Sequence, residues 1–190
     1  MIDTLHFEKV FAGEDFSSSG LPDGKYELCQ FSNCLFVGVD LTKRHFLECT
    51  FENCDFSQAK LTLTAFKEVR FSGCKMMGLR FDSCQTFLLA LDFTGCQLDY
   101  SSLAGLPLSN TSFKDCSLKE ADFTEAKLDG ADFSGSNLDR ALFEYTDLKK
   151  VDFRTARSFR IDPEVNQLKG AKFGYDGLMG LLGKYAIEVE

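Results

Sequence analysis

Large apolar residues recur at every fifth position over most of the chain, and this period limits the possible fold more than any other feature. Every fifth residue from Phe11 to Phe81 is large and apolar, and the series resumes at Leu88 and continues to Phe153. A helix with 3.6 residues per turn cannot keep residues five apart on one face. A chain that turns a corner every five residues can, so the period predicts a solenoid of short strands.

A second series, made of small residues, lies two positions before the large ones. Cysteine and alanine dominate it, as at Cys29, Cys54 and Ala131. Residues two apart on a strand point to the same side. Each pentad therefore offers one large and one small inward side chain, and the polar residues between them face solvent or lie at the corners.

The number of corners in one coil can be predicted from the step, in residues, that places residues of the same type above one another. Steps of twenty give an all-Phe column, Phe93, Phe113, Phe133 and Phe153, whereas steps of fifteen mix Phe with Leu. Four faces therefore fit better than three. The 29 large positions correspond to about seven coils.

These pentads resemble the pentapeptide-repeat family, whose consensus is A(D/N)LXX. Residues 121–125, 131–135 and 136–140 carry the resemblance most clearly, and it extends over about residues 11 to 157. It implies an all-β fold, a right-handed quadrilateral parallel β-helix with four pentads per coil. We expect this β-helix over residues 1–157 and a C-terminal cap and dimerisation tail over residues 158–190.

The register of the repeat slips once, near residues 82–91. Seven residues replace five between Phe81 and Leu88, and a bulge or short loop must absorb the two extra residues. Either Phe87, Leu89 and Leu91 project outward as an apolar contact surface, or they pack the bulge itself.

The tail after the repeat predicts a short amphipathic helix over residues 175–185 and a strand over 186–190. Leu168 and Phe173 predict a last partial coil. An open β-helix end exposes apolar residues and must be covered, so the tail either caps its own rod or pairs with a second tail. We favour a homodimer, because a rod followed by a helix and a strand resembles dimeric Qnr-type proteins. The dimer contact would involve Leu178, Leu181, Leu182, Ile187 and Val189.

The sequence has 21 basic and 29 acidic residues, a net charge of −8. This charge disfavours direct binding to nucleic acid. The chain has no run of 18 apolar residues, and its first residues lack the basic and apolar segments of a signal peptide. We therefore expect a cytoplasmic protein that does not associate with a membrane.

The sequence predicts no catalytic residue, no cofactor and no metal site, and so predicts that the protein is not an enzyme. No CxxC pair occurs among the eight cysteines, which fall on the small inward positions; Cys84 does so if Thr86 occupies a large position. We interpret them as buried free thiols. His6 and His45 have no catalytic partner nearby in the sequence, and motifs for nucleotide binding or hydrolysis are absent from it.

Aspartates at multiples of twenty residues predict an acidic partner-binding face. Asp92, Asp132 and Asp152 would lie on one side of the rod. A row of carboxylates on a rigid rod can occupy a groove built for phosphates, which suggests a DNA mimic. The alternative is that these aspartates only solvate the corners.

Residues 66–78 and 161–166 resemble proteins of the Qnr, microcin B17 immunity and albicidin-resistance type. The resemblance implies a protein that binds DNA gyrase and protects it from inhibitors. The slip here is short where Qnr-type proteins often carry longer loops, and Lys119, Arg140, Lys149 and Lys150 dilute the negative charge. The second hypothesis is therefore a structural scaffold that binds another protein through a flat face or the bulge.

Overall fold

The computed structural model describes residues 4–185 and 187, and they form a parallel β-helix with four faces, as predicted. We label the faces A to D after the columns of large residues behind them. Face A contains Phe113, face B contains Leu118, face C contains Phe123 and face D contains Leu128. Backbone partners lie twenty residues apart, as in the pair Asp122 and Leu142.

Each pentad closes with a tight turn. The amide of Ala126 donates to the carbonyl of Phe123 (N–O 3.0 Å), and the same bond recurs in about half of the pentads. In most pentads the residue two after the large one adopts a left-handed conformation, as Leu63 (φ 55°) and Tyr145 (φ 54°) do. The left-handed conformation is unfavourable for residues other than glycine. The corners are therefore strained, and packing of the interior offsets that strain.

The regular elements are short, because a corner interrupts the chain every five residues. The strands are β1 (Leu5–Phe7), β2 (Val10–Ala12), β3 (Lys25–Glu27), β4 (Gln30–Ser32), β5 (His45–Leu47), β6 (Thr50–Glu52), β7 (Ala65–Lys67), β8 (Val69–Ser72), β9 (Leu91–Thr94), β10 (Phe113–Lys114), β11 (Asp152–Phe153) and β12 (Lys172–Phe173). The helices are α1 (Phe16–Ser19) and α2 (Met179–Leu182), with 3₁₀ turns at Phe81–Ser83, Tyr175–Gly177 and Gly183–Tyr185.

Two parallel sheets follow from this coiling. Face D carries the order β1-β3-β5-β7, and face A carries β2-β4-β6-β8-β9-β10 and the separate pair β11-β12. The face D sheet ends at β7, where the register slip interrupts it. Helix α1 was not predicted; the Asp15 carboxylate caps it by accepting from the amide of Ser17 (3.0 Å).

The core is a set of stacked columns of large side chains. On face A, Phe133 stacks between Phe113 and Phe153, with ring centroids 4.9 and 5.2 Å away. The face A column continues from Phe11 at one end to Phe173 at the other. Its nine members give about eight coils, one more than the 29 positions indicated, because both ends extend beyond the regular repeat.

The slip is absorbed by a protruding turn, residues 85–88, as the sequence predicted. Before it, the amide of Gln85 donates to the carbonyl of Thr64, twenty-one residues back, as the amide of Lys25 does to Thr4 (2.9 and 2.8 Å). After it, Val69 pairs with Leu91, twenty-two residues on, where the regular pairing is twenty. Phe87 projects with 68% of its surface exposed. The assignment of an inward position to Leu88 is wrong, because Leu88 has a left-handed backbone (φ 58°) and is 63% exposed.

The expectation that Leu89 and Leu91 project outward is also wrong. Both are buried, at 9% and 3% exposure, because the chain runs extended from the turn into β9 and alternate residues point inward. The amide of Ala90 donates to the carbonyl of Phe66 (3.2 Å), which fixes this segment against β7. The apolar surface at the slip therefore consists of Phe87 and Leu88.

The tail caps the end of its own rod. The amide of Ile161 donates to the carbonyl of Gly180 (3.0 Å), and Leu181 packs against the core. A Cβ on Gly177 or Gly180 would overlap the ring or carbonyl of Phe159, so these glycines allow the close approach. The predicted last coil is present, with Phe153 paired to Phe173.

Candidate functional site

The predicted acidic row lies on one face, but most of it is neutralised within the chain. Asp92, Asp132 and Asp152 all belong to face A, and Asp132 pairs directly with Asp152 in the backbone ladder. The Asp152 carboxylate forms an ion pair with Arg154 (2.6 Å), and Asp132 forms one with Lys114 (3.3 Å). Asp92 accepts from the amide of Ser112 (2.9 Å). This face presents little free negative charge to a partner.

The pKa values of these carboxyl groups agree with in-chain pairing. The Arg154 hydrogen bonds lower the pKa of Asp152, against a smaller opposing effect of burial. Partial burial acts to raise the pKa of Asp132, but hydrogen bonds from Ser134 and Lys114 together outweigh it, and the pKa is lowered. Both groups are therefore ionised and already have cationic or hydrogen-bonding neighbours.

A stronger acidic surface lies on the C-terminal half of face C. From residue 102 to 165 its outward positions contain five acidic residues and none that is basic. Glu125 and Glu144 are exposed, and neither takes part in an ion pair among the described residues. Asp122 lies beside them and accepts from the amide of Thr124 (2.9 Å). We call Asp122, Glu125, Glu144, Asp162 and Glu164 the acidic surface.

A groove of about 570 Å³ lies next to the acidic surface, between face C and the tail. Leu142, Tyr145 and Val165 line it and are exposed by 51%, 67% and 38%. Arg140 and Arg160 form part of its wall. The groove and the acidic surface together offer a protein partner both apolar area and negative charge.

Lys184 ties the tail to the acidic surface. Its Nζ lies 2.7 Å from an Asp162 oxygen and 2.6 Å from a Glu164 oxygen, and the Tyr185 hydroxyl donates to Glu164 (2.9 Å). The Lys184 contacts are the main reason that the pKa values of Asp162 and Glu164 are lowered. Desolvation opposes the charge on Lys184, but its hydrogen bonds to the two carboxylates outweigh that effect and raise its pKa.

The predicted dimerisation residues of the tail divide into inner and outer ones. Leu181 packs against the core of the rod, so it belongs to the cap that the tail forms on its own chain. Leu182 is half-buried. Leu178 and Ile187 are exposed, at 42% and 49%. Val189, and most of the predicted strand 186–190, lie outside the described residues. Dimerisation through the tail stays a prediction.

The cysteines fill the interior, as predicted. All eight are free and buried. Cys34, Cys54, Cys74, Cys96 and Cys116 stack in one column, and each of the first four donates weakly to a carbonyl of the preceding coil, as Cys74 does to Phe51 (3.4 Å). Burial raises the pKa values of Cys49 and Cys84 to about 12. Such thiols stay protonated and unreactive near neutral pH.

The histidines have structural contacts. His6 stacks on Tyr26 with ring centroids 4.6 Å apart, and His45 lies within β5. Within residues 4–185 and 187, no cluster of three His, Cys, Asp or Glu side chains is arranged to hold a metal ion. Over the same part of the chain, no helix has the length and apolar character needed to cross a bilayer.

Comparison with known proteins agrees with this geometry. The family model described as "Pentapeptide repeat region" matches residues 24–87 and 80–153. The chain belongs to the pentapeptide-repeat family. No curated protein matches it.

Solved structures with the same fold include two pentapeptide-repeat proteins. One is a trypsin-treated variant of QnrB1, described as a plasmid-mediated fluoroquinolone resistance protein, with a TM-score of 0.76 and 18% identity over 98% of this chain and 92% of that chain. The other is HetL from the cyanobacterium Nostoc sp. strain PCC 7120, described as involved in heterocyst differentiation regulation, with a TM-score of 0.68 and 18% identity over 91% and 87%. At these identities the likeness establishes the fold alone.

Proposed function

We propose that the protein is a non-enzymatic DNA mimic that binds DNA gyrase and protects it from inhibitors. The observation that carries the proposal is the acidic surface on face C. It spans three successive coils of a rigid rod, which advance by about 4.8 Å each. Asp162 and Glu164 of the last coil pair with Lys184, so the unpaired carboxylates are those of the two earlier coils. The proposal requires a cytoplasmic location, where gyrase acts on DNA.

The chemistry of the acidic surface suits a protein site built for DNA. A groove that holds phosphates is lined with lysine and arginine, and a partner with carboxylates at regular intervals satisfies the same cations. Glu125 and Glu144 lack cationic partners among the described residues, so they remain available to a gyrase subunit. The adjoining apolar residues Leu142 and Tyr145 would add contact area that DNA itself does not offer.

The choice of gyrase as the partner rests on the resemblance of residues 66–78 and 161–166 to Qnr-type proteins. The likeness to QnrB1, a fluoroquinolone resistance protein, supports the fold. The face differs from the one that sequence reasoning favoured, because Asp132 and Asp152 on face A already pair with Lys114 and Arg154. Binding that depends on these charges should weaken as salt is added, since exposed charges are screened beyond about 8 Å at physiological ionic strength.

The test is a DNA supercoiling assay with purified gyrase. The protein is titrated with and without a fluoroquinolone, and we expect it to restore supercoiling in the presence of the drug or to inhibit gyrase in its absence. The variant Glu125→Lys/Glu144→Lys should lose both effects. The control, Glu14→Lys/Glu52→Lys, changes the net charge equally at exposed residues away from face C and should keep them.

A scaffold that binds a different protein is the alternative, and the protruding Phe87 and Leu88 favour it. If the wild-type protein neither inhibits nor protects gyrase at micromolar concentration, the gyrase proposal is refuted. The scaffold role then remains, with the groove and the protruding turn as the surfaces to mutate.

A further inference from the structure

Face D is divided into two halves of opposite charge by the protruding turn 85–88. The chain crosses this face nine times in the eight or so full turns of the rod. We number these crossings as coils one to nine, and the turn occupies the fifth. Outward positions of the first four coils carry four glutamates and two lysines, while those of the last four carry four lysines and two aspartates. The glutamates are Glu8, Glu27, Glu48 and Glu68, and the later lysines are Lys127, Lys149, Lys150 and Lys169.

We infer that face D is a self-complementary surface on which a second copy of this chain docks in antiparallel orientation. A two-fold axis through the turn, directed along the strands, would set each early coil against the late coil at the same distance from the turn. Such an interface uses the same surface patch on both copies. It brings the glutamate-rich half of one copy against the lysine-rich half of the other.

The second and eighth coils give the most specific match. Equivalent strand positions face each other about this axis, so Lys25 meets Asp147 of the second copy and Glu27 meets its Lys149. Within one chain, Lys149 Nζ already lies 3.0 Å from Asp147. The two copies therefore build a network of four alternating charges at each end of the interface, and networks contribute more than isolated exposed pairs.

The centre of the surface is apolar. Phe87 and Leu88 are 68% and 63% exposed and lie at the axis, where each meets its own counterpart. The Lys67 Nζ lies 5.3 Å from the centre of the Phe87 ring, which keeps the ring over face D. An exposed aromatic residue at the centre, surrounded by charged pairs, is the usual arrangement of a specific protein interface.

The fourth and sixth coils also fit by shape. Ala65 is small and buried and lies at one end of a shallow depression of about 360 Å³ that extends over the first four coils of face D. Its counterpart position in the sixth coil is Pro107, which is exposed. The proline ring of the second copy would occupy the end of the depression over Ala65.

Charge distribution selects this occupant over others. A DNA duplex or an anionic membrane would meet the glutamate-rich half, and a parallel second copy would set glutamates against glutamates. An antiparallel second copy places opposite charge against both the glutamate-rich and the lysine-rich half of face D. The contact is separate from the tail, which lies at the end of the rod, and it does not depend on gyrase binding.

The test measures the mass of the full chain by light scattering across a concentration series. We expect a dimer of twice 21.3 kDa. Phe87→Asp should give a monomer, because it sets two carboxylates against each other at the axis. Far-UV circular dichroism of that variant should be unchanged, since Phe87 is exposed.

Charge reversals identify the orientation. Glu27→Lys and Lys149→Glu should each raise the dimer Kd at least about tenfold, and the double variant should return it close to the wild-type value. Leu178→Asp separates this interface from the predicted tail contact, and it should leave the face D dimer intact. A protein that is monomeric at every concentration overturns the inference. A dimer that is lost in Leu178→Asp but kept in Phe87→Asp also overturns it. The same holds if the double charge-reversal variant has a dimer Kd no lower than that of the single variants.

Discussion

Replacing Phe133 by Ala should destabilise the rod by about 4 kcal/mol, within the range of about 3 to 5 for a buried Phe. The side chain is fully buried, and its ring stacks between Phe113 and Phe153 and meets Phe123 edge-on at 5.5 Å. The neighbouring coils are fixed by their own backbone ladders. They cannot collapse into the cavity, so most of the lost contact energy appears as lost stability.

The assay is urea unfolding followed by far-UV circular dichroism. Phe87→Ala is the matched control, because the same atoms are removed from a side chain that is 68% exposed. Measured at concentrations where the chain is monomeric, it should change the free energy of unfolding by less than about 1 kcal/mol. If the two substitutions cost the same, the inward position of the face A column is wrong.

Three further predictions follow from local structure. Leu63 is half exposed with φ 55°, so Leu63→Asn should raise the melting temperature and Leu63→Val should lower it. Each should change the free energy of unfolding by about 1 kcal/mol or less. Equal melting temperatures for the two variants would refute the strain at this corner. All eight thiols should resist Ellman's reagent at pH 8 in the folded protein and react in urea, and fast native labelling would contradict their burial. The pKa values of Asp162 and Glu164 are lowered by Lys184, so their ionised carboxylates stabilise tail docking at a pH above the ordinary pKa values of 3.8 and 4.5, and this stabilisation is lost as the pH falls through the lowered pKa values. The NMR signals of Tyr185 should report this transition, and Lys184→Met should remove it.

The sequence predicts the interior of this fold well, because in a solenoid the period of the sequence is also the period of the packing. The period of five, the column Phe93 to Phe153 and the paired small residues all reappear at the predicted inward positions. Each coil contacts only its neighbours, so short-range spacing determines the register. The protruding turn was also predictable, since two residues had to be accommodated.

The details of the slip were not predictable from periodicity. Residues 87–91 contain no polar residue, so nothing in their pattern separates inward from outward positions. The outcome depends on a hydrogen bond from Ala90 to Phe66, which the pattern does not encode. The acidic face was misjudged for a similar reason. Arg154 folds back onto Asp152 two residues away, and Lys114 reaches Asp132 from the preceding coil.

The acidic surface and the groove depend on contacts between distant segments. Lys184 approaches Asp162 and Glu164 only because the tail folds over the end of the rod. The missed signal was the absence of basic residues at the outward positions of face C after residue 102. It becomes visible once the four faces are assigned.

Competition between this protein and DNA for gyrase tests the central functional claim most directly. Fluorescence anisotropy of a labelled duplex bound to gyrase should fall as the wild-type protein is added. With Glu125→Lys/Glu144→Lys it should stay high, and Glu14→Lys/Glu52→Lys should behave as wild type. Anisotropy that does not change with the wild-type protein, or that falls equally with all three, would contradict a role for the acidic surface in replacing DNA.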